Sequence, residues 1–181
     1  GEVFAEFCNN WTELAYQAQV IKTKLQHSSL TNLIELNNGE QLPIGEYREQ
    51  EMKIRVGQYF FRMAVLNSYN NRCCITGMCK SELLIASHIK PWRNCDQYTE
   101  RTNPQNGLCL NALHDKAFDK GLITINSSYD IVISNQLKNV EMDQQTREWF
   151  FGYEGKQIAL PDKFFPAKDF IEYHNDVVFL G

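Results

Sequence analysis

The stretch that decides the fold is residues 74–125, Cys74-Ile75-Thr76-Gly77, Ala86-Ser87-His88-Ile89-Lys90-Pro91-Trp92, Asn106-Gly107-Leu108-Cys109-Leu110-Asn111, then His114-Asp115-Lys116-Ala117-Phe118-Asp119-Lys120-Gly121-Leu122-Ile123-Thr124-Ile125. Leu83–Ile89 reads as a strand, which Pro91 ends. Gly107–Leu110 reads as a second, short strand. Asn111 suits a helix N-cap and Gly121 suits the position just past a helix end, which predicts a helix over 112–120. Strand, loop, strand and helix over 82–120 make a ββα unit, with Asp115 and Asp119 four apart on one helix face. The hairpin 122–125 and 131–133 follows, turned by Asn126-Ser127-Ser128. Arg72–Ile75 reads as a further short strand, broken by Thr76-Gly77.

Outward from this stretch the chemistry thins. Residues 2–26 repeat apolar side chains at three and four (Phe4, Phe7, Trp11, Leu14, Ala15, Ala18, Ile21, Leu25), as a packing helix does. Residues 27–50 carry turn and linker chemistry, and His27 beside two serines reads as a loop histidine. The expected division is therefore 1–46, an N-terminal helix and linker, and 47–181, the domain that holds the ββα core. Residues 47–68 read as a second helix, with Val56, Phe60, Met63, Ala64 and Leu66 inward and Arg55, Gln58 and Arg62 sharing a polar face. A short amphipathic helix is expected over 143–151 and another over 167–174, where His174 reads as structural.

Bulk properties bound the function. The 181 residues are 43% hydrophobic and 22% charged, as in an ordinary globular fold. No apolar run is long enough for a membrane span, and the start has no signal-peptide pattern. Six cysteines at irregular spacing (8, 73, 74, 79, 95, 109) read as free thiols in a reducing compartment, hence a cytoplasmic placement. Net charge is −4, yet residues 53–120 hold 10 Lys/Arg against 5 Asp/Glu, while the remainder holds 8 against 17. A basic centre within an acidic shell suits a nucleic-acid site confined to one face.

The residues quoted first resemble the HNH nuclease family, the ββα-metal nucleases, and most closely its restriction-endonuclease-like bacterial branch. Arg55-Val56-Gly57-Gln58 ahead of Cys74-Ile75-Thr76-Gly77, and the tail Tyr153-Glu154-Gly155-Lys156 with Pro161, are similar to that branch too. The likeness runs over roughly 50–175 and is specific through 74–125. It implies an α+β fold and a metal-dependent DNA endonuclease with a restriction or defence role. It also implies double-stranded DNA as substrate, and often a homodimer. His88 is the expected general base, since imidazole titrates near neutrality. Asn106 would hold the loop or orient His88. The resemblance puts metal ligation on the helix, at His114 or Asp115, with Asp119 as a second candidate. Carboxylate oxygens suit Mg²⁺ or Mn²⁺.

Ser87 departs from the pattern, because many family members place an Asp or His ligand just before the base. The cysteine spacing is wrong for the paired knuckles that hold a structural Zn²⁺. Lys90, Arg93, Arg101, Lys116 and Lys120, with Arg55 and Arg62, are the expected phosphate contacts. Trp92, following Ile89 and Pro91, reads as a core anchor in preference to a wedge or stack against nucleic acid. The rival reading is a nucleic-acid binding module with the same fold whose nuclease site has decayed.

Overall fold

A computed structural model describes residues 10–26 and 48–181. The expected helical positions 2–9, the linker with His27 and the 46/47 boundary lie outside the described residues. The chain divides into two compact units, one of residues 1–63 with 95–103, the other of residues 64–94 with 104–181.

The first unit contains helix α1, Trp11–Leu25, and the start of helix α2, Arg48–Ser68. Asn10 caps α1 by accepting from the Glu13 N–H at 3.0 Å. Segment 95–103 is tied to the start of α1: Trp11 N–H donates to the Tyr98 carbonyl (3.1 Å) and the Thr12 hydroxyl to the Gln97 carbonyl (2.9 Å). The buried stripe of α2 is Val56, Phe61, Val65 and Leu66. Val56 and Leu66 face inward as expected, but Met63 is exposed, Phe60 and Ala64 are half-buried, and Phe61 and Val65 take the buried positions beside them.

The second unit is α+β, as the sequence implied. Strand β1, Leu84–His88, pairs antiparallel with β2, Gly107–Asn111, in the register Leu84↔Asn111 to His88↔Gly107. Helix α3, Ala112–Asp119, follows β2 without a break. All of β2 is buried, so that strand is covered on both faces, whereas β1 is buried only at Leu84 and Ser87. Asn111 ends the strand and caps the helix: its side-chain oxygen accepts from the Leu113 and His114 N–H groups at 3.1 and 3.0 Å. Gly121 ends the helix at φ +68°, and a Cβ there would meet the Val178 carbonyl oxygen at 2.0 Å, so only glycine fits.

Strands β3, Ile123–Ile125, and β4, Ile131–Ile133, form the expected hairpin. Helices α4, Asn135–Lys138, α5, Gln144–Phe151, and α6, Lys168–Tyr173, follow, and α6 runs into a π-helical turn over His174–Val178.

Residues 72–75 are not a strand. Cys73 N–H donates to the Met78 carbonyl (2.8 Å) and Gly77 N–H back to the Cys73 carbonyl (2.8 Å), closing a tight turn. Gly77 adopts φ +73° to permit it. The apolar character read as strand is instead burial of Cys73 and Cys74 against the ribbon, where Cys74 N–H donates to the Cys109 carbonyl at 2.8 Å.

His174 locks the tail to the helix. Its ring stacks on Phe118 at 3.8 Å between centroids, its Nε2 donates to the Phe118 carbonyl (3.2 Å), and its Nδ1 lies 2.8 Å from the Thr124 hydroxyl. Burial pushes its pKa down from 6.5 to about 4. The unfolded chain therefore binds the proton more readily than the folded one. This histidine's contribution is complete above pH 6.5 and is lost as pH falls toward 4, a swing of roughly 3 kcal/mol. Urea midpoints of wild type and His174→Gln, taken at pH 7.5 and 4.5, measure it. The wild type is expected to lose more stability on acidification than the variant, and equal losses would remove the assignment.

Candidate active site

A cavity of about 780 Å³ opens where the end of β1 meets one face of α3. Its wall includes Ser87 and His88 from β1, Trp92 and Arg93 from the following turn, Asp115, Lys116, Asp119 and Lys120 from α3, and Val177 and Val178 from the π turn.

His88 is the last residue of β1, half-buried, and borders the cavity. The loop leaving it is fixed by Asn106. The Asn106 side-chain oxygen accepts from Lys90 N–H at 2.8 Å, its amide donates to the Lys90 carbonyl at 3.2 Å, and its own carbonyl accepts from Ile89 N–H at 2.9 Å. Asn106 is fully buried, so the amide acts on backbone and does not itself reach into the cavity. Lys90 extends its ammonium over the Tyr173 ring, 5.1 Å from the centroid.

The helix separates its two candidate ligands by rotation. One residue turns an α-helix by about 100°, so His114 and Asp115 point to different surroundings. His114 joins Ala117 and Phe118 on the buried stripe. Its Nε2 donates to the Trp149 carbonyl at 2.8 Å, and its Nδ1 faces the Asn111 side-chain oxygen at 3.0 Å. The rings of Phe150 and Tyr153 lie 5.5 and 5.9 Å from it, and burial lowers its pKa. His114 does not border the cavity, whereas Asp115 and Asp119 both do.

Asp115 is half-buried, and its pKa is raised chiefly by loss of water. The nearby Asp119 charge raises it further, while Ser87 and Lys116 act in the opposite sense. The Ser87 hydroxyl is buried and has no hydrogen bond of regular geometry, yet it lies near enough to the Asp115 carboxyl to favour the ionised form. Among the described residues no three His, Cys, Asp or Glu side chains gather into a metal-binding cluster. The half-buried Asp115 and the exposed Asp119, repelling one another on one cavity wall, nonetheless fit a hard divalent cation such as Mg²⁺ or Mn²⁺, with water and phosphate oxygens completing its shell.

The expected phosphate contacts fall into two groups. Arg93, Lys116 and Lys120 are exposed on the cavity wall. Arg55, Arg62 and Arg101 belong to the first unit, where Arg55 pairs with Glu51 at 2.8 Å and is largely buried. Trp92, Val177 and Val178 also line the cavity wall, a placement that no motif in the sequence signals. Trp92 is half-buried, not in the core, and its ring lies 5.5 Å from that of His88, nearly perpendicular at 85°.

Comparison with known proteins bears on the segment that carries this cavity. Residues 73–126, which contain the ββα unit, match the family model described as HNH endonuclease. The segment is an HNH unit, as its resemblance implied. A solved structure titled modification dependent TagI restriction endonuclease aligns with 64% of this chain and 36% of its own length, at 18% identity and a TM-score of 0.45. This chain thus spans about a third of that protein. No curated protein matches significantly. No helix among the described residues is long and apolar enough to cross a membrane.

Proposed function

We propose that the chain is a divalent-metal-dependent endonuclease that hydrolyses DNA phosphodiester bonds, working in restriction or defence in the cytoplasm. The observation that carries this reading is the shared cavity: His88 at a strand end faces the same space as the Asp115–Asp119 pair. His88 takes the proton from the attacking water as general base. Asp115, with Asp119, would hold Mg²⁺ or Mn²⁺, and His114 supports the helix from its buried side. When bound, the ion supplies positive charge to the developing phosphorane oxygens and the leaving oxygen. Arg93, Lys116 and Lys120 neutralise flanking phosphates, as Lys90 does once DNA draws it from Tyr173. Asn106 keeps the loop after His88 in one conformation, which holds the base in register.

One ββα site acts on one strand, so cutting double-stranded DNA calls for a homodimer, whereas a monomer nicks. Supercoiled plasmid incubated with the protein distinguishes the outcomes. With Mg²⁺ or Mn²⁺ it is expected to give nicked and then linear DNA, and EDTA is expected to stop the reaction. DNA binding without metal-stimulated cutting would instead favour the rival reading, a binding module with a decayed site.

A further inference from the structure

We infer that Trp92 is a positioning residue for His88, holding the imidazole through the perpendicular contact of the two rings. The inference deepens the reading of His88 as the base and rests on it.

The loop brings Trp92 back to His88. Ile89, with no exposed surface, anchors the chain in the core just after His88. Lys90 is gripped on both backbone sides by the Asn106 amide. Pro91 then opens a tight turn in which Asn94 N–H donates to the Pro91 carbonyl at 2.8 Å, and Trp92 starts a single 3₁₀ turn, Trp92–Asn94. The indole thereby returns to a residue four positions earlier, at 5.5 Å and 85°. Such an aromatic pair is favoured by the ring quadrupoles and resists rotation of either ring. A histidine side chain has two rotatable bonds, and proton transfer needs one ring nitrogen held toward the water within a fraction of an ångström. In this geometry Asn106 sets both rings at once: it fixes the backbone from which His88 leaves and to which Trp92 returns.

The full chain with Trp92→Leu and Trp92→Phe tests this, since both replacements are apolar and bulky and only one keeps a ring. Metal-dependent cleavage of a DNA duplex is measured for each, alone and combined with His88→Ala. The Leu variant is expected to lose roughly tenfold in kcat with KM for DNA nearly unchanged. The Phe variant is expected to recover most of that rate. In the His88→Ala background the Leu change is expected to cost nothing further, because the group it positions is gone. The His88 ring resonances should shift in the Leu variant. An increase in KM at constant kcat would overturn the inference in favour of a DNA contact. So would an equal loss in both backgrounds, or a Leu variant as fast as the Phe variant. Wild-type cleavage by His88→Ala would defeat the base assignment itself, a separate and recognisable outcome.

Discussion

Replacing His88 with alanine is expected to lower metal-dependent DNA cleavage by about 10²- to 10⁴-fold, the range typical of a lost general base. The loss should fall on kcat, because the exposed Arg93, Lys116 and Lys120 that would hold phosphates remain in place. Affinity for DNA in Ca²⁺ or EDTA should stay within about twofold. His88 is half-buried at a strand end and its backbone is secured by the β1–β2 ladder, so folding is expected to survive the change. Cleavage kinetics and duplex binding on the same preparation check both halves. A variant that binds and cuts like wild type would remove His88 from the reaction.

The second large effect is expected at Asp115. Asp115→Asn should abolish cleavage at any practical Mg²⁺ or Mn²⁺ concentration, since a neutral amide replaces an anionic oxygen ligand. Stability should move the other way. The folded carboxyl has its pKa raised, first by desolvation and then by Asp119. Folding therefore favours the protonated form, and the ionised group weakens the fold as pH rises above the ordinary carboxylate range. Removing the charge should leave the thermal midpoint at neutral pH unchanged or higher. A dead enzyme with an intact or firmer fold is the signature of a functional carboxylate. Loss of activity together with loss of the fold would instead indicate a structural role. His114→Ala is the contrasting case, because His114 braces α3 against the Trp149 carbonyl and its loss should lower stability first.

The contrast between neighbours on α3 explains what the sequence could and could not reveal. The ββα unit was legible because its signals are local: Pro91 ends a strand, Asn111 caps a helix, and Gly121 supplies a positive φ. Spacing from Asn106 alone could not separate His114 from Asp115. Helical phase separates them, because His114 falls in line with the buried Ala117 and Phe118. Trp92 was misread as core because Ile89 and Pro91 flank it, yet Ile89 occupies the core position and the turn after Pro91 sends the indole back to the cavity. Val177 and Val178 lie nearly 60 residues beyond Asp119, and no periodicity announces that a π turn at the C-terminus walls the same cavity. The burial of Ser87 was equally invisible, since a serine in a short strand fits either face.

In the proposed reaction His88 and Asp115 serve one reacting phosphate. The most direct measurement is a crystal structure with Mn²⁺ and a DNA duplex, with the metal located by anomalous scattering. The ion is expected on Asp115 at about 2.0–2.2 Å, with Asp119 or its water adjacent, a phosphate oxygen completing the shell, and His88 directed at the attacking water. His114 should still be bonded to the Trp149 carbonyl. An ion held elsewhere, or a His88 ring turned away from the phosphate, would contradict it.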